Sequence, residues 1–559
     1  MRKNNFIART LMLVCIPLAF ISCKNAAADD SSSAWEKVPE ILAKIVPPTF
    51  PDYEINVIEY GAKPGIENDS HDAIQKAIDD CAEKGGGKVV VPEGEYLSNG
   101  PLHLKSNVNL YLAEGATLYF GVNPEDYLPL VEVRWEGTRC MNYSSLIYAN
   151  GQENIAITGK GTIDGQQEKF WQLWKLIHDN DKSLLRDMGK NLVPVEERVF
   201  GKGHFLRPSL IEPYKCKNIL IEGITVKNSP FWTIHPTFCT NVTVRNLNIQ
   251  HGQSNDDGCD PESSSYVLIE GCTFYNDDDN IAIKAGRDND AWVENGGQPT
   301  ENIIIRNNTF LKSNAGAVSI GSEMSGGVRN IFVENNVMKN VSRVFYIKSN
   351  TDRGGAVENL YYRNNTVDTC DALLMVRLDY KGADAGENPS DFKNFYIENT
   401  TVNYAKTGVN SLGLPGKSIK NITLSNVKIN EVNKPVEAYF TDNLQLDNFT
   451  YNAITAIDKE YYAKSGGEEN PDRIYWEDLP ETVQQAFLGV FNEQVDERSE
   501  VPDEYRSEVK EAFAIDPMLN GISVTTVNKE KVYRLYKSFG WDRIEISIKE
   551  NGQIVGRNY

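Results

Sequence analysis

From about residue 154 onward, the chain repeats a short pattern. "NILIEGITVKNS", "NVTVRNLNIQHG", "YVLIEGCTFYND", "NIIIRNNTFLKS" and "NIFVENNVMKNV" each carry apolar residues at alternate positions, then an Asn or Gly bend, then a second alternating run. Alternation with a period of two marks a strand, because successive side chains point to opposite faces. In one unit Ile219 and Ile221 point inward, Glu222-Gly223 bends the chain, and Ile224 and Val226 point inward again. Asn suits the bend because its short side chain tolerates left-handed backbone angles and bonds the local backbone. After the first, units start roughly 23–36 residues apart, within the range of a solenoid.

A leucine-rich repeat needs a helix or a fixed Leu framework, and a propeller blade needs four strands; the units supply neither. The pattern therefore predicts an all-β fold, a parallel β-helix in which each turn buries its apolar side chains against the next and stacked Asn form ladders. The open end of such a solenoid needs a cap. "NDSHDAIQKAIDDCAEKGGG" supplies one: Ser70 as N-cap, then Ala73, Ile74, Ala77, Ile78 and Cys81 on one helical face, and Gly85 to Gly87 as the stop. Two stretches interrupt the period, 121–145 and 166–208, the latter with Trp171, Trp174, His204 and Arg207. Long insertions in a solenoid gather on one face and build a binding wall.

The repeat fades after about Thr450. "PDRIYWEDLPETVQQAFLGVFNEQ" reads as Pro/Asp punctuation and an amphipathic helix, and "KVYRLYKSFGWDRIEISIKENGQIVGRNY" as two or three strands with an Asn-Gly turn. This predicts a separate small α+β domain over 472–559, which resembles the PepSY-like modules of secreted bacterial proteins. The solenoid is expected over 51–455.

The first residues alter the picture of where this fold works. In "MRKNNFIARTLMLVCIPLAFISCKN", Arg2, Lys3 and Arg9 precede an apolar run from Leu11 to Ile21 that is too short to span a membrane comfortably. That is a secretion signal over 1–22. Its end, "FISC", resembles a bacterial lipobox, so Cys23 is the expected lipidation site and 23–50, with "AADDSSS", a flexible tether. The expected location is the bacterial cell envelope, periplasm or outer membrane, reached by secretion across the inner membrane, with membrane contact only through an N-terminal lipid. The alternative is an ordinary signal peptide cut near Ala26 to Ala28. A net charge of −21 argues against nucleic acid or an anionic membrane surface as the main partner. Cys81, Cys140, Cys216, Cys239, Cys259, Cys272 and Cys370 remain, odd in number and without a CxxC zinc spacing, and they read as buried free thiols. No cofactor or metal is called for.

The candidate chemistry lies in "QSNDDGCDPESSSYVLIEGCTFYNDDDNIAIKAG". Asp256, Asp257 and Asp260 form one burst; Asp277, Asp278 and Asp279 form another. Asp278 follows Asp257 by 21 residues, about one turn, and adjacent rungs of a parallel sheet lie about 4.8 Å apart. Carboxylates that close cannot all ionise comfortably, so at least one keeps a proton. A protonated acid beside ionised bases is what glycoside hydrolysis needs. Turn formation is the simpler account of Asp256, Asp277 and Asp290, and a calcium cluster is a second alternative. The register across one coil favours catalysis for Asp257, Asp278 and Asp279.

From about Ile55 to Asp442 the chain resembles the polygalacturonase family of pectin-degrading glycoside hydrolases, family 28, most closely its bacterial exo-acting members. "INVIEYGAKPG", "YANGQENIAITGKGTIDGQ", "NSPFWTIHP", "NDDGCDPES", "DDNIAIKAGR" and "IGSEMSGGVRNIFVEN" carry the resemblance. It implies a right-handed parallel β-helix. It also implies that Asp278 protonates the glycosidic oxygen while Asp257 and Asp279 activate water, with inversion, although the rung spacing itself lies nearer the retaining distance. Asn255 matches the family's Asn-x-Asp motif. Substrate contacts are expected from Asn255, Lys284, Lys348, Trp232, His235, Arg287 and Tyr346. Two positions depart from the family: Ala315 and Gly316 stand where it has a Gly-His-Gly segment, and Tyr346 where it has the Arg of Arg-Ile-Lys, so Arg343 and Arg353 become candidates for the missing cation. The expected function is hydrolysis of an α-linked galacturonate in pectin or rhamnogalacturonan, from a chain end. A pectate lyase on the same fold and a non-catalytic glycan-binding lipoprotein are the rival readings.

Overall fold

The computed structural model describes residues 31–454, apart from 168–169, 176, 251–253, 295–296 and 382–385, and then 476, 479–497, 506–507, 510, 514, 521–527, 530–539 and 542–558. The signal segment, Cys23 and the start of the tether lie outside the described residues.

Two long parallel sheets run the length of the molecule, thirteen strands each. After the first two strands, which both join one sheet, strands join the two sheets in turn, so each coil of a right-handed parallel β-helix lays one strand on each, and the short strand Ile281–Ile283 is added beside the second sheet's path. Inward positions stack in register: Ile221 on Val244, Ile269, Ile305, Val333, Tyr362 and Ile397. All are buried, each worth about 1.5–3 kcal/mol of gross burial. The bends are left-handed, as the Asn-rich pattern requires. Gly223 has φ 81°, and a Cβ there would lie 2.4 Å from the Gly159 carbonyl oxygen. In later coils Asn246, Asn307, Asn335, Asn364 and Asn399 take φ between 47° and 58° at this bend. A second set at the strand starts forms a side-chain ladder: Asn154 donates to Asn107 (2.9 Å), Asn218 to Asn154 (2.9 Å) and Asn241 to Asn218 (2.7 Å).

The helix His71–Glu83 caps the N-terminal end and buries Ile74, Ala77, Ile78 and Cys81. Ser70 does not cap it through its side chain. Its hydroxyl bonds the Lys63 backbone instead, and Asp69 accepts the His71 N–H at 3.0 Å. The seven cysteines from Cys81 to Cys370 are free and buried.

The tether expected over 23–50 is structured from residue 31. Ser31–Trp35 and Val38–Lys44 are helices. Trp35, Val38, Ile41 and Ile45 pack on an outward-facing apolar row of the first sheet, Leu268, Ile304, Phe332 and Tyr361. The spacing of those four apolar residues gives a helical stripe, and the stripe is buried because a matching row waits for it. Further on, Glu481–Glu497 is a helix and Gly521–Val527, Glu530–Phe539, Asp542–Lys549 and Ile554–Asn558 form an antiparallel sheet in chain order.

The two insertions build one structure beside the solenoid. Val131–Trp135 and Thr138–Asn142 form a hairpin, which Val199–Phe200 joins. The helices Trp171–Trp174 and Asp179–Lys190 follow from the second insertion. Trp171 and Trp174 are fully buried, packed with Tyr127, Tyr143 and Phe205. The tryptophans therefore anchor this wall, which also buries polar residues such as Gln172, His178 and Arg198.

Candidate active site

The aspartates stand on the third, shortest wall of the coil. Single bridges carry this wall from Ile211 to Ile234, Cys259 and Ile281, and from Tyr214 to Thr237, Glu262 and Lys284. Cys259 pairs with Ile281, so Asp279 stacks on Asp257, and Asp278 on Asp256. The 21-residue step that would stack Asp278 on Asp257 is short by one. The trio still converges, because Asp278 lies in the turn leading into the wall. One carboxylate oxygen from each of Asp257, Asp278 and Asp279 lies within 4.8 Å of the others.

Each member is held differently. Asp279, buried, accepts the Lys348 ammonium at 2.7 Å and the Ser319 hydroxyl at 2.6 Å. Burial disfavours the Lys348 charge, but Asp279 outweighs it and holds this ammonium above its ordinary value. Asp257, also buried, accepts Lys284 at 3.2 Å. Lys284 is shared with Asp260 (3.6 Å) and Glu323 (3.7 Å). Burial and the neighbouring Asp260 push the Asp257 carboxyl well above the carboxylate range, and burial pushes Asp260 up to about 7. Two buried carboxyls that share one ammonium keep a proton between them. Asp278 is the most exposed of the three and accepts backbone N–H groups from Asn255 (3.0 Å) and Asp279 (3.1 Å).

A cleft of about 510 Å³ opens over the trio. Asp256 and Asp277 are not part of it. Asp256 is buried and accepts the Asp277 and Asp278 N–H groups; Asp277 bonds Lys312 and Asn314; Asp290 is buried against Arg198. Lys284, Lys348 and Arg287 line the cleft, each committed to a protein carboxylate, Arg287 to Glu323 at 2.8 Å. Asn255 sits at φ 68°, and its side-chain oxygen is taken by Lys175 and Arg207. A metal ion would find two of the three aspartates already neutralised by ammonium groups, a poorer donor set than three free carboxylates.

Three expected substrate contacts are engaged by other protein groups. His235 is fully buried and does not reach the cleft. It lies between Glu262 (2.8 Å) and Glu212 (3.5 Å); burial disfavours its charge, but these carboxylates outweigh that and hold the imidazole above its ordinary value. Trp232 lines the cleft but is 2% exposed, with Lys284 over its ring at 4.1 Å and Phe231 stacked on it. Tyr346 does not line the cleft; its ring lies beneath Lys348 (4.8 Å) and Arg343 (5.0 Å). Of the two candidate arginines, Arg353 lines the cleft, bonded to Asp288 at 2.9 Å. Arg343 bonds the Asn314 and Ala315 carbonyls instead. Gly316 is tight, not roomy: a Cβ there would lie 3.1 Å from Asp279 Oδ1.

Sequence reasoning missed the residues that the insertions and later loops contribute. Glu136, Lys175, Arg186 and Lys190 form one side of the cleft, and Tyr380 and Lys381 close another. No period places insertion residues, so their only signal was the interruption itself.

Residues 201–440 match the family described as glycosyl hydrolases family 28, and residues 54–114 the one described as rhamnogalacturonase A/epimerase, pectate lyase-like. A hyperthermoactive exopolygalacturonase of Thermotoga maritima superposes with a TM-score of 0.71 at 38% identity, over 75% of this chain and 96% of that one. A probable polygalacturonase of Vitis vinifera is 28% identical over 395 residues, 66% of this chain and 74% of its own. An exo-poly-alpha-D-galacturonosidase of Dickeya chrysanthemi is 27% identical over 436 residues, 72% of this chain and 71% of its own.

Proposed function

The chain belongs to glycosyl hydrolases family 28, and on that footing we propose that this glycoside hydrolase removes an α-linked galacturonate from the end of a pectic chain. The observation that carries the reading is the aspartate trio at the floor of a cleft where eight Lys and Arg side chains balance eight carboxylates, in a chain of net charge −21. Positive side chains collected at this one place suit an anionic sugar.

In the proposed mechanism Asp278, the exposed member, gives its proton to the glycosidic oxygen. Asp279, ion-paired with Lys348, takes the proton of the attacking water. Asp257 hydrogen-bonds and orients that water, its own proton shared with Asp260. The water enters opposite the leaving group, so the first product is the β-anomer. The oxygens within 4.8 Å are closer than the usual inverting separation of about 6.5–9.5 Å, so the substrate must part them to seat the water. Proton NMR of the nascent sugar tests this: an α-anomer appearing first means retention and overturns the assignment.

For the linkage, the reading is a galacturonate–rhamnose bond, cut better than unbranched oligogalacturonate. Tyr346 replaces an arginine fork that would clamp a second carboxylate, and Arg353, the nearby cleft arginine, is paired with Asp288. The test is kcat/KM on the two oligosaccharides, with an expected preference of roughly ten- to a hundredfold. Preference for oligogalacturonate would reverse the linkage reading, and an ultraviolet-absorbing unsaturated product would replace hydrolysis by elimination. The chain is further proposed to be an envelope lipoprotein through Cys23, which Cys23→Ser tests by moving the protein from the membrane fraction to the soluble one.

A further inference from the structure

Most cations of the cleft are spoken for. Lys284, Lys348, Arg287, Arg353 and Arg186 each face a protein carboxylate within 4 Å. Lys175 does not. It follows the helix Trp171–Trp174, whose buried tryptophans fix the backbone that presents it. Among the described residues its ammonium bonds the side-chain oxygen of Asn255 and has no carboxylate within salt-bridge distance. The same Asn255 oxygen also receives Arg207 at 3.0 Å, so a second cation crowds the first. Burial, then Arg207, lowers the Lys175 ammonium to about 7. Glu136 and Asp278 offset this only in part, so a half-buried ammonium beside an arginine gains from an arriving anion. It lines the cleft, and its partner Asn255 gives its backbone N–H to Asp278, so the arriving anion would lie beside the proposed proton donor.

We infer that Lys175 binds the carboxylate of the substrate's galacturonate and so selects a uronic acid over the neutral sugar of the same shape. This rests on the uronate reading above and assigns it to the insertion wall. Lys284 and Lys348, expected from their positions to hold the uronate, instead neutralise Asp257 and Asp279. The inference is independent of whether rhamnose or galacturonate lies beyond the scissile bond.

The test compares a galacturonate–rhamnose oligosaccharide with the same compound after its carboxyl has been reduced to the alcohol. Wild type should prefer the acid. Lys175→Met should lower kcat/KM on the acid roughly 10- to 100-fold, chiefly through KM, and leave the reduced substrate within about threefold. Lys175→Arg should restore most of the preference, and Lys175→Gln replaces the Met variant if that fails to fold. An equal fall on both substrates would mean that Lys175 acts only by holding Asn255 and Asp278, and would overturn the inference while leaving the proposed function intact. An unchanged preference in Lys175→Met would overturn it as well. Failure of wild type to hydrolyse either compound, or oligogalacturonate, would remove the uronate reading itself, and this inference with it.

Discussion

Replacing Lys284 by Met tests the electrostatics of the site most directly. The ammonium lies 3.2 Å from Asp257, 3.6 Å from Asp260 and 3.7 Å from Glu323, and all four side chains are nearly or fully buried. Glu323 would keep Arg287, but Asp257 and Asp260 would face each other with only His235 to favour their charge. Removing one partner of a buried ion pair costs about 3–5 kcal/mol. Unfolding entropy is about 2.1 cal/mol/K per residue, so a solenoid of about 400 residues loses roughly 4–6 °C in Tm. The sign with pH follows from the carboxyls. Asp260 already sits up to about 7, and Asp257 is also raised; without Lys284 both rise further. At pH 5 both are protonated and the variant's deficit is small. At pH 8 they must ionise in a dry site or hold protons against the solvent, and the deficit is full. Thermal unfolding of wild type and variant at the two pH values reads this out. A deficit below about 1 °C, or one equal at pH 5 and pH 8, would show that water and not Lys284 compensates these carboxyls.

Asp278→Asn and Asp279→Asn should each lower kcat by about 10²–10⁴-fold, the first with near-native melting and the second with a lowered Tm because it leaves the buried Lys348 without its carboxylate, whereas Asp277→Asn, outside the cleft, should stay within about threefold; loss in Asp277→Asn instead of Asp278→Asn would move the acid by one residue. Asp256 is raised by burial from 3.8 to about 7, so its folded form binds the proton more tightly than the unfolded chain. The stability this contributes is fully present below about pH 4 and lost as pH rises through about 7, of order 4 kcal/mol at most. Asp256→Asn should flatten the fall in Tm between pH 5 and 7, and an unchanged slope would show that another group carries it.

The solenoid was legible because its signal repeats. Alternating residues such as Ile219, Ile221, Ile224 and Val226 recur coil after coil, and Asn marks each bend. The aspartate bursts were legible as neighbours for the same reason, since one coil separates them. The register was missed by one residue because the turn before Asp257 holds no apolar alternation to count. His235 and Trp232 misled because polar and aromatic residues on a wall next to a site look like contacts, while their surroundings depend on Glu212, Glu262 and Lys284, brought in from other coils. The helical stripe Trp35, Val38, Ile41 and Ile45 was readable, but the preceding Ser/Asp tract drew it into the tether. Lys175 was not readable at all: its neighbourhood is made by an insertion folding back on Asn255.

That N-terminal stripe has a mechanical side. Ser31 bonds Glu398 (2.5 Å), Lys44 bonds Tyr266 (3.1 Å), and the Val46 carbonyl receives Asn241 (2.9 Å). The segment thus crosses six consecutive coils, from the strand Asp391–Glu398 back to Thr240–Arg245. A coil in a solenoid otherwise touches only its neighbours and can peel from an end one step at a time. A brace laid across the coils makes those six open together or not at all. The coils carrying Asp257, Asp279 and Lys348 are all inside it. Among the described residues this brace ends at Glu398, and beyond it Tyr439, Phe440, Leu446 and Tyr451 lie exposed. Under load the molecule should unravel from that far end while the catalytic rungs keep their registry.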